Sequence, residues 1–175
     1  VGLFCVGDGE TYNVPVEMAE TRYGIRVDEH RLHTDGAGAG EYRGGSGAVR
    51  VYRSMNENQT FTASFGRNKW PVWGAAGGKD GSVNYFQFID ADGTVSEPMG
   101  IAARRVMNTN DVVRMVTATG GGYGNPFKRP AEKVAMDVKN EYITVEQAKA
   151  DYGVLVDPET FKVLGLTEER QKAEK

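Results

Sequence analysis

Apolar and polar positions alternate through most of the first 120 residues, and the alternation predicts a chain built mainly of short β-strands. In Tyr23–Leu32, Ile25 and Val27 interleave with Arg26 and Asp28, and Ala48–Tyr52 repeats the pattern with Val49 and Val51. Thr60–Phe65 sets Phe61, Ala63 and Phe65 on one face. Val83–Ile89 places Val83, Tyr85 and Gln87 opposite Asn84, Phe86 and Phe88. It then reaches Asp90-Ala91-Asp92-Gly93 before Thr94-Val95, a hairpin signature in which Asp-Gly supplies positive φ. Asp111–Ala118, with Val112, Val113, Met115 and Val116, closes the series. Ahead of these, residues 3–6 read as a short strand, Gly7-Asp8-Gly9 as a turn, and Asn13–Glu20 as a short helical turn capped by Asn13.

The period changes near residue 143. Thr144 and Gln147 have capping-box spacing and open a helix through Ala148 and Tyr152 that stops at Gly153. Asp157-Pro158-Glu159 begins another turn with Pro at a first helical position. Thr167–Lys175 is charged, has no apolar face and reads as a frayed tail. The expectation is a mainly β chain of the α+β class. It comprises a Gly-rich sandwich or barrel-like body over 1–140, a small helical appendix over 141–166 and a charged tail over 167–175.

Glycine changes this picture most, because 23 of the 175 residues are glycine and they cluster. Asp35–Gly47 carries six of them, Gly74-Ala75-Ala76-Gly77-Gly78 with Gly81 follows, and Gly120-Gly121-Gly122-Tyr123-Gly124-Asn125-Pro126 forms a third cluster. Glycine at this density either takes positive φ or lets backbone approach another group closely. Asp35, Arg43, Gly44, Gly45, Gly121 and Gly122 are therefore read as structural loop residues, with Gly44, Gly45 and Gly121 as the positive-φ candidates.

Composition narrows the function. Hydrophobic residues at 39% and charged residues at 26% allow a real core. A net charge of −3 gives no electrostatic basis for a nucleic-acid partner. No apolar run reaches membrane-spanning length, and Val1–Val6 is too short and lacks the basic flank of a secretory signal. A lone Cys5 makes no internal disulfide, and with two histidines it makes no zinc framework, so the expected setting is cytoplasmic. The chain opens Val-Gly-Leu-Phe-Cys-Val-Gly without Met, as if inside a strand, and is expected to be a piece of a longer polypeptide.

Phosphate motifs are absent: no Gly-Lys-Ser/Thr ends a Gly-rich loop, and Gly36-x-Gly38-x-x-Glu41 lacks the last glycine of a dinucleotide fingerprint. A backbone nest that touches an anion stays open. His30 and His33 stand three apart in a strand and so face opposite sides instead of converging on a metal. Asp35 and Glu41 straddle the first glycine run, but spacing within a loop does not define a carboxylate pair. Asn13, Glu17 and Glu20 precede Arg22, while Arg43, Arg50 and Arg67 follow. Arginine forks beside Gly-rich turns suit either carboxylate binding or internal ties to carbonyls and acids. Trp70-Pro71-Val72-Trp73 is either a packing anchor or an interface patch.

Several segments in one order carry a resemblance. They are Gly7-Asp8-Gly9-Glu10-Thr11-Tyr12-Asn13-Val14-Pro15-Val16-Glu17; Tyr42-Arg43-Gly44-Gly45-x-Gly47 within Asp35–Gly47; Arg67 with Trp73-Gly74-x-x-Gly77-Gly78-x-x-Gly81; Thr119–Pro126; and Glu146-Gln147-Ala148 with Tyr152-Gly153-Val154. Up to about Leu166 the chain resembles the C-terminal portion of the hydantoinase B/oxoprolinase family, which includes the B-type component of N-methylhydantoinase, the C-terminal half of 5-oxoprolinase and the acetone carboxylase α subunit. The resemblance implies an ATP-dependent hetero-oligomer. In it ATP is held by an A-type subunit, which phosphorylates an amide, lactam or ketone oxygen, and the B-type subunit completes hydrolysis or carboxylation.

The implied partners are the remainder of the B-type subunit and the A-type subunit. ATP and a divalent metal are implied for the full complex and none for this chain, which alone is expected to be inactive. Asn13, Glu17 and Arg67 are the substrate-binding candidates, and no catalytic residue is assigned. The chain has Asp35-Gly36-Ala37-Gly38 where relatives have Asp-Ser-Gly-Gly, and Ala118-Thr119 where Pro is common. The ketone carboxylase branch, or a non-catalytic assembly role, therefore stands beside the hydrolase reading.

Overall fold

A computed structural model of the chain describes residues 14–173. Four antiparallel strands form the main sheet: β1 (Ile25–His33), β2 (Gly47–Ser54), β4 (Tyr85–Ile89) and β6 (Val112–Val116), in the order β1-β2-β6-β4. A second sheet pairs β3 (Gln59–Ser64) with β5 (Ile101–Met107), and a third pairs β7 (Val154–Val156) with β8 (Val163–Leu166). The fold is α+β with open antiparallel sheets; the barrel-like alternative does not form.

Period-2 patterning explains how the first two sheets meet. Register pairs Phe88 with Val113 and Phe86 with Met115, so these side chains share one face of the main sheet. That face packs with Met107 and Phe61 of the second sheet into one core. Phe61 meets Phe88 edge-on with ring centres 5.4 Å apart, and Phe86 at 5.6 Å. Such pairs contribute about 0.5–1.5 kcal/mol beyond the area they bury.

The Asp90–Gly93 turn forms as expected: Gly93 has φ +90, and the Asp90 amide donates to the Thr94 carbonyl at 2.9 Å. Strand β5 escapes the sequence pattern because Arg104 and Arg105 interrupt its alternation and Arg104 takes φ +52.

Helix α1 (Val16–Tyr23) starts with Pro15 at its N-cap, without a side-chain cap, and ends at Gly24 with φ +60. Asn13, read as its cap, lies outside the described residues, as do the strand at 3–6, the Gly7–Gly9 turn and Cys5.

A second core gathers α2 (Ala131–Lys139), α3 (Val145–Tyr152) and β7 around Val134, Val138, Ala148, Tyr152, Val154 and Val156. The Thr144/Gln147 capping box opens α3, and Gly153 at φ +62 closes it. The turn at Asp157 joins β7 to β8, and the Asp157 carboxylate accepts from the Glu159 and Thr160 amides at 3.0 and 2.7 Å. The frayed tail is corrected by α4 (Glu168–Ala173). Arg170 is buried and donates to the carbonyls of Tyr152 and Arg129 at 2.9 and 2.8 Å, so a polar anchor holds a helix that has no apolar face. Among the described residues, no helix is long and apolar enough to cross a membrane.

Candidate functional site

The three glycine clusters become one layer. Their extended segments lie side by side and exchange main-chain hydrogen bonds. Gly38 donates to Gly120, Gly44 to Gly38 and Gly120 to Gly45, at 2.9, 2.9 and 2.8 Å. Lys79 donates to Ala39 at 2.7 Å, Gly122 to Lys79 at 2.9 Å, and Tyr42 and Tyr123 exchange bonds at 3.0 and 2.9 Å.

The backbones are so close that a β-carbon on Gly44 would stand well under 3.0 Å from the Gly120 carbonyl, and one on Gly121 equally near that of Trp73. Gly44, Gly45 and Gly121 are not at positive φ. The expectation for these positions is corrected: at Gly44 and Gly121 glycine is required by close approach, not by handedness. Buried Thr119 ties the layer to the sheet, its hydroxyl donating to the Gly36 carbonyl at 2.8 Å and accepting from the Ser82 amide at 2.9 Å.

A charged knot fastens the other end of the layer. Arg129 donates Nε and Nη2 to one Asp137 oxygen at 3.0 and 2.8 Å, and Nη1 to the Glu41 carbonyl at 3.0 Å. Arg43 donates Nη1 to the Gly44 carbonyl at 3.0 Å, lies 3.7 Å from Asp137, and sets its guanidinium 4.7 Å over the Tyr142 ring. Arg43 is thus an internal tie. Its neighbour Tyr152 is buried, and its hydroxyl lies toward the Gly40 backbone without a hydrogen bond of standard geometry to any described residue. Burial pushes that hydroxyl up to about 12, against the pull of Arg129 and Arg43 and with the push of Asp137.

Arg67 differs. It is exposed, takes φ +50 and stacks 5.0 Å over the Trp73 ring. Its guanidinium makes no hydrogen bond or ion pair with any described residue. Asn84, which no pattern in the sequence marks, fixes its position. The Asn84 amide donates to the Arg67 carbonyl at 3.1 Å, and its side chain bonds Gly66 and Ala118 at 2.6 Å each.

Glu17 sits exposed in the first turn of α1 and shares no hydrogen bond or ion pair with Arg67. Asn13 is outside the described residues, and Asp35 is exposed at the start of the glycine layer. His30 accepts from Arg50 at 3.2 Å, whereas burial, with Arg31 and Arg114 nearby, holds His33 below the usual imidazole range despite Asp35. Trp70 and Trp73 are exposed, so the packing-anchor alternative falls.

Between the main sheet and the β3-β5 sheet lies a cavity of about 310 Å³ lined by Phe61, Met107, Val113 and Met115 among others. Ser54 and Gln59 also line it, the Ser54 hydroxyl donating to Gln59 Oε1 at 2.6 Å. Among the described residues no three His, Cys, Asp or Glu side chains converge as a ligand set for a metal ion.

Comparison with known proteins places these features in a context. The family model described as hydantoinase B/oxoprolinase matches residues 2–126, a span that holds all three glycine segments. An uncharacterized protein of Methanocaldococcus jannaschii is 34% identical over 82% of this chain and 25% of its own length. A putative B-type subunit of a D-/L-hydantoinase from Pseudomonas sp. strain NS671 is 32% identical over 83% of this chain and 25% of its own. The crystal structure of the ATP-dependent caprolactamase from Pseudomonas jessenii superposes with a TM-score of 0.70 at 28% identity, over 91% of this chain and 27% of that one. The chain spans about a quarter of the length of these two curated relatives.

Proposed function

The chain belongs to the hydantoinase B/oxoprolinase family, and from that premise we propose that it is part of the B-type subunit of an ATP-dependent cyclic-amide hydrolase. The observation that carries this reading is the joint likeness to a B-type hydantoinase subunit and to a caprolactamase of known structure. Both names describe enzymes that act on ring amides, which favours the hydrolase branch over the carboxylase one. In this reading an A-type partner activates the amide with ATP, and ring opening is completed on the B-type side. ATP and a divalent ion belong, in this reading, to the complete complex.

This portion then has two duties. The glycine layer, clamped by Thr119 and the Asp137 knot, supplies a stiff backbone. Arg67 presents an uncommitted fork above Trp73 to an oxygen-rich group of the substrate, with Glu17 and Asn13 as the further candidates for substrate contact. The test is Arg67→Lys in the complete complex. Lysine keeps the charge and loses the planar fork, so turnover per assembled complex is expected to fall roughly 10- to 100-fold, with melting temperature and assembly unchanged. A fully active Arg67→Lys complex removes Arg67 from the site. Ring opening of hydantoin, 5-oxoproline or a lactam by the isolated chain refutes the reading as a whole.

A further inference from the structure

Three exposed aromatic side chains stand on adjoining segments of the glycine layer, and a fourth, Trp70, lies three residues before one of them. Tyr42 and Tyr123 are 55% and 57% exposed, and Trp73 and Trp70 are 68% and 76% exposed. The two tyrosines oppose each other in an antiparallel bridge, with ring centres 6.2 Å apart. Tyr123 also bridges Ala75 in parallel, and the Trp73 carbonyl lies against Gly121, two residues before Tyr123. The backbones that carry Tyr42, Tyr123 and Trp73 are therefore held side by side. Other exposed apolar residues are Val16, Met18 and Tyr23 on α1, Ile101 and Val106 on β5, and single residues such as Leu32 on β1 and Leu164 on β8; apart from Tyr23 these named residues are not aromatic, and exposed aliphatic residues are ordinary. A rigid cluster of Trp and Tyr with an arginine at its rim has the composition of an interface centre. Its ordering cost is already met within this chain, which favours association.

We propose that the Tyr42–Tyr123–Trp73–Trp70 face is the seam against which the remainder of the family-length B-type polypeptide packs. This rests on the reading of the chain as part of such a subunit. The occupant is argued from length: the chain matches only 25% of the B-type hydantoinase relative, and its fold occupies 27% of the caprolactamase chain. Nearly three quarters of a relative's polypeptide therefore has to meet this quarter somewhere, and this face offers a pre-formed aromatic surface. Arg67, stacked on Trp73, is then held at the line where the two parts join.

Hydroxyl-radical footprinting read by mass spectrometry tests this residue by residue, comparing the 175-residue chain with the full source polypeptide. In the isolated chain all four rings should react as exposed aromatics. In the full polypeptide, without any partner subunit, their modification rates should fall roughly fivefold or more as the centre desolvates. Protection that appears only when an A-type subunit is added overturns the proposed occupant, and protection that rises with concentration of the isolated chain assigns the face to a second copy. Unchanged rates in the full polypeptide overturn the seam while leaving the subunit reading intact. A source gene that encodes only these 175 residues removes that reading, and the seam with it.

Discussion

Replacing Gly44 with Ala adds one methyl group and is expected to be among the most damaging single changes in the protein. The new β-carbon would lie well under 3.0 Å from the Gly120 carbonyl oxygen, and close also to the Gly120 carbonyl carbon and the Gly38 amide nitrogen. All three are main-chain atoms, so no side chain can swing aside. Carbon contacts relax only near 3.5–4.0 Å, and the segments must part by roughly an ångström. That separation stretches the bonds Gly44→Gly38, Gly38→Gly120 and Gly120→Gly45, now 2.8–2.9 Å long. At about 1 kcal/mol net for each bond, with overpacking strain of about 1–3 kcal/mol, the loss comes to roughly 4–6 kcal/mol.

Gly66 is the control, because nothing lies within 4 Å of the site of its missing β-carbon and its φ is not positive. Gly66→Ala should be neutral, or stabilising by about 0.4–1 kcal/mol through the unfolded chain. Urea unfolding gives the difference, and a domain of this size should show a melting temperature lower by about 2–4 °C per kcal/mol. If Gly44→Ala and Gly66→Ala unfold within 0.5 kcal/mol of each other at equal m-value (about the scatter of a neutral surface change), the close-packed layer is refuted.

Three further outcomes follow from the same geometry. Asp137→Asn removes the acid from the knot with Arg129 and Arg43 and should cost about 3–5 kcal/mol; a midpoint shift equivalent to less than about 1 kcal/mol would mean that the pair acts like a surface one. Tyr152 is kept neutral by burial, with its folded value about 12, so its contribution is full below the unfolded value near 10 and is lost as pH rises through the folded one. Tyr152→Phe should lose less stability than the parent between those limits and no more at neutral pH, and parallel alkaline curves would contradict this. Asp28 is lowered, because bonds from Arg26 and Arg53 outweigh the burial that would raise it. Its contribution is present above the unfolded carboxylate value of about 3.9 and fades as pH falls through the lower folded value. The stability gap between parent and Asp28→Asn should therefore narrow in acid, and a gap that is constant from neutral to strongly acidic pH would exclude it.

Local rules carried much of this fold. Strand alternation around Phe86 and Phe88, the Asp90–Gly93 turn and the Thr144/Gln147 box are each encoded within a few neighbouring residues, and each forms. What failed locally was decided at long range. Strand β5 reads poorly because Arg104 and Arg105 break its period, yet its partner β3 pairs with it from Gln59↔Met107 to Ser64↔Ile101 across a register shift between Phe61 and Ala63. Helix α4 has no amphipathic stripe; it forms because one arginine reaches carbonyls 18 and 41 residues away. The glycine clusters announced a special backbone, but whether a glycine serves φ or proximity depends on what lies opposite. Gly120 and Trp73 are 76 and 48 residues from the glycines they constrain, beyond the reach of any spacing rule. Arg43 and Arg67 look alike in sequence, and only the fold separates the tied one from the free one.

A layer made of glycine raises an energetic question that bears on function. Ordering each residue costs about 1–2 kcal/mol of backbone entropy, and a glycine has no side chain to bury in return. A net hydrogen bond contributes only about 0.5–1.5 kcal/mol, so the layer does not hold itself. It is clamped from outside. At the sheet end Thr119, Ser82 and Asn84 bind main-chain groups of its segments, and at the helical end Arg129 and Arg43 hold Glu41 and Gly44 through Asp137. Between those clamps the layer presents the aromatic rings outward, with Arg67 beside them. A third cover on that face would complete the enclosure of the least self-sufficient part of the chain. The same cover would set Arg67, whose guanidinium stacks on Trp73 and has no hydrogen bond or ion pair with a described residue, at the edge of whatever it encloses.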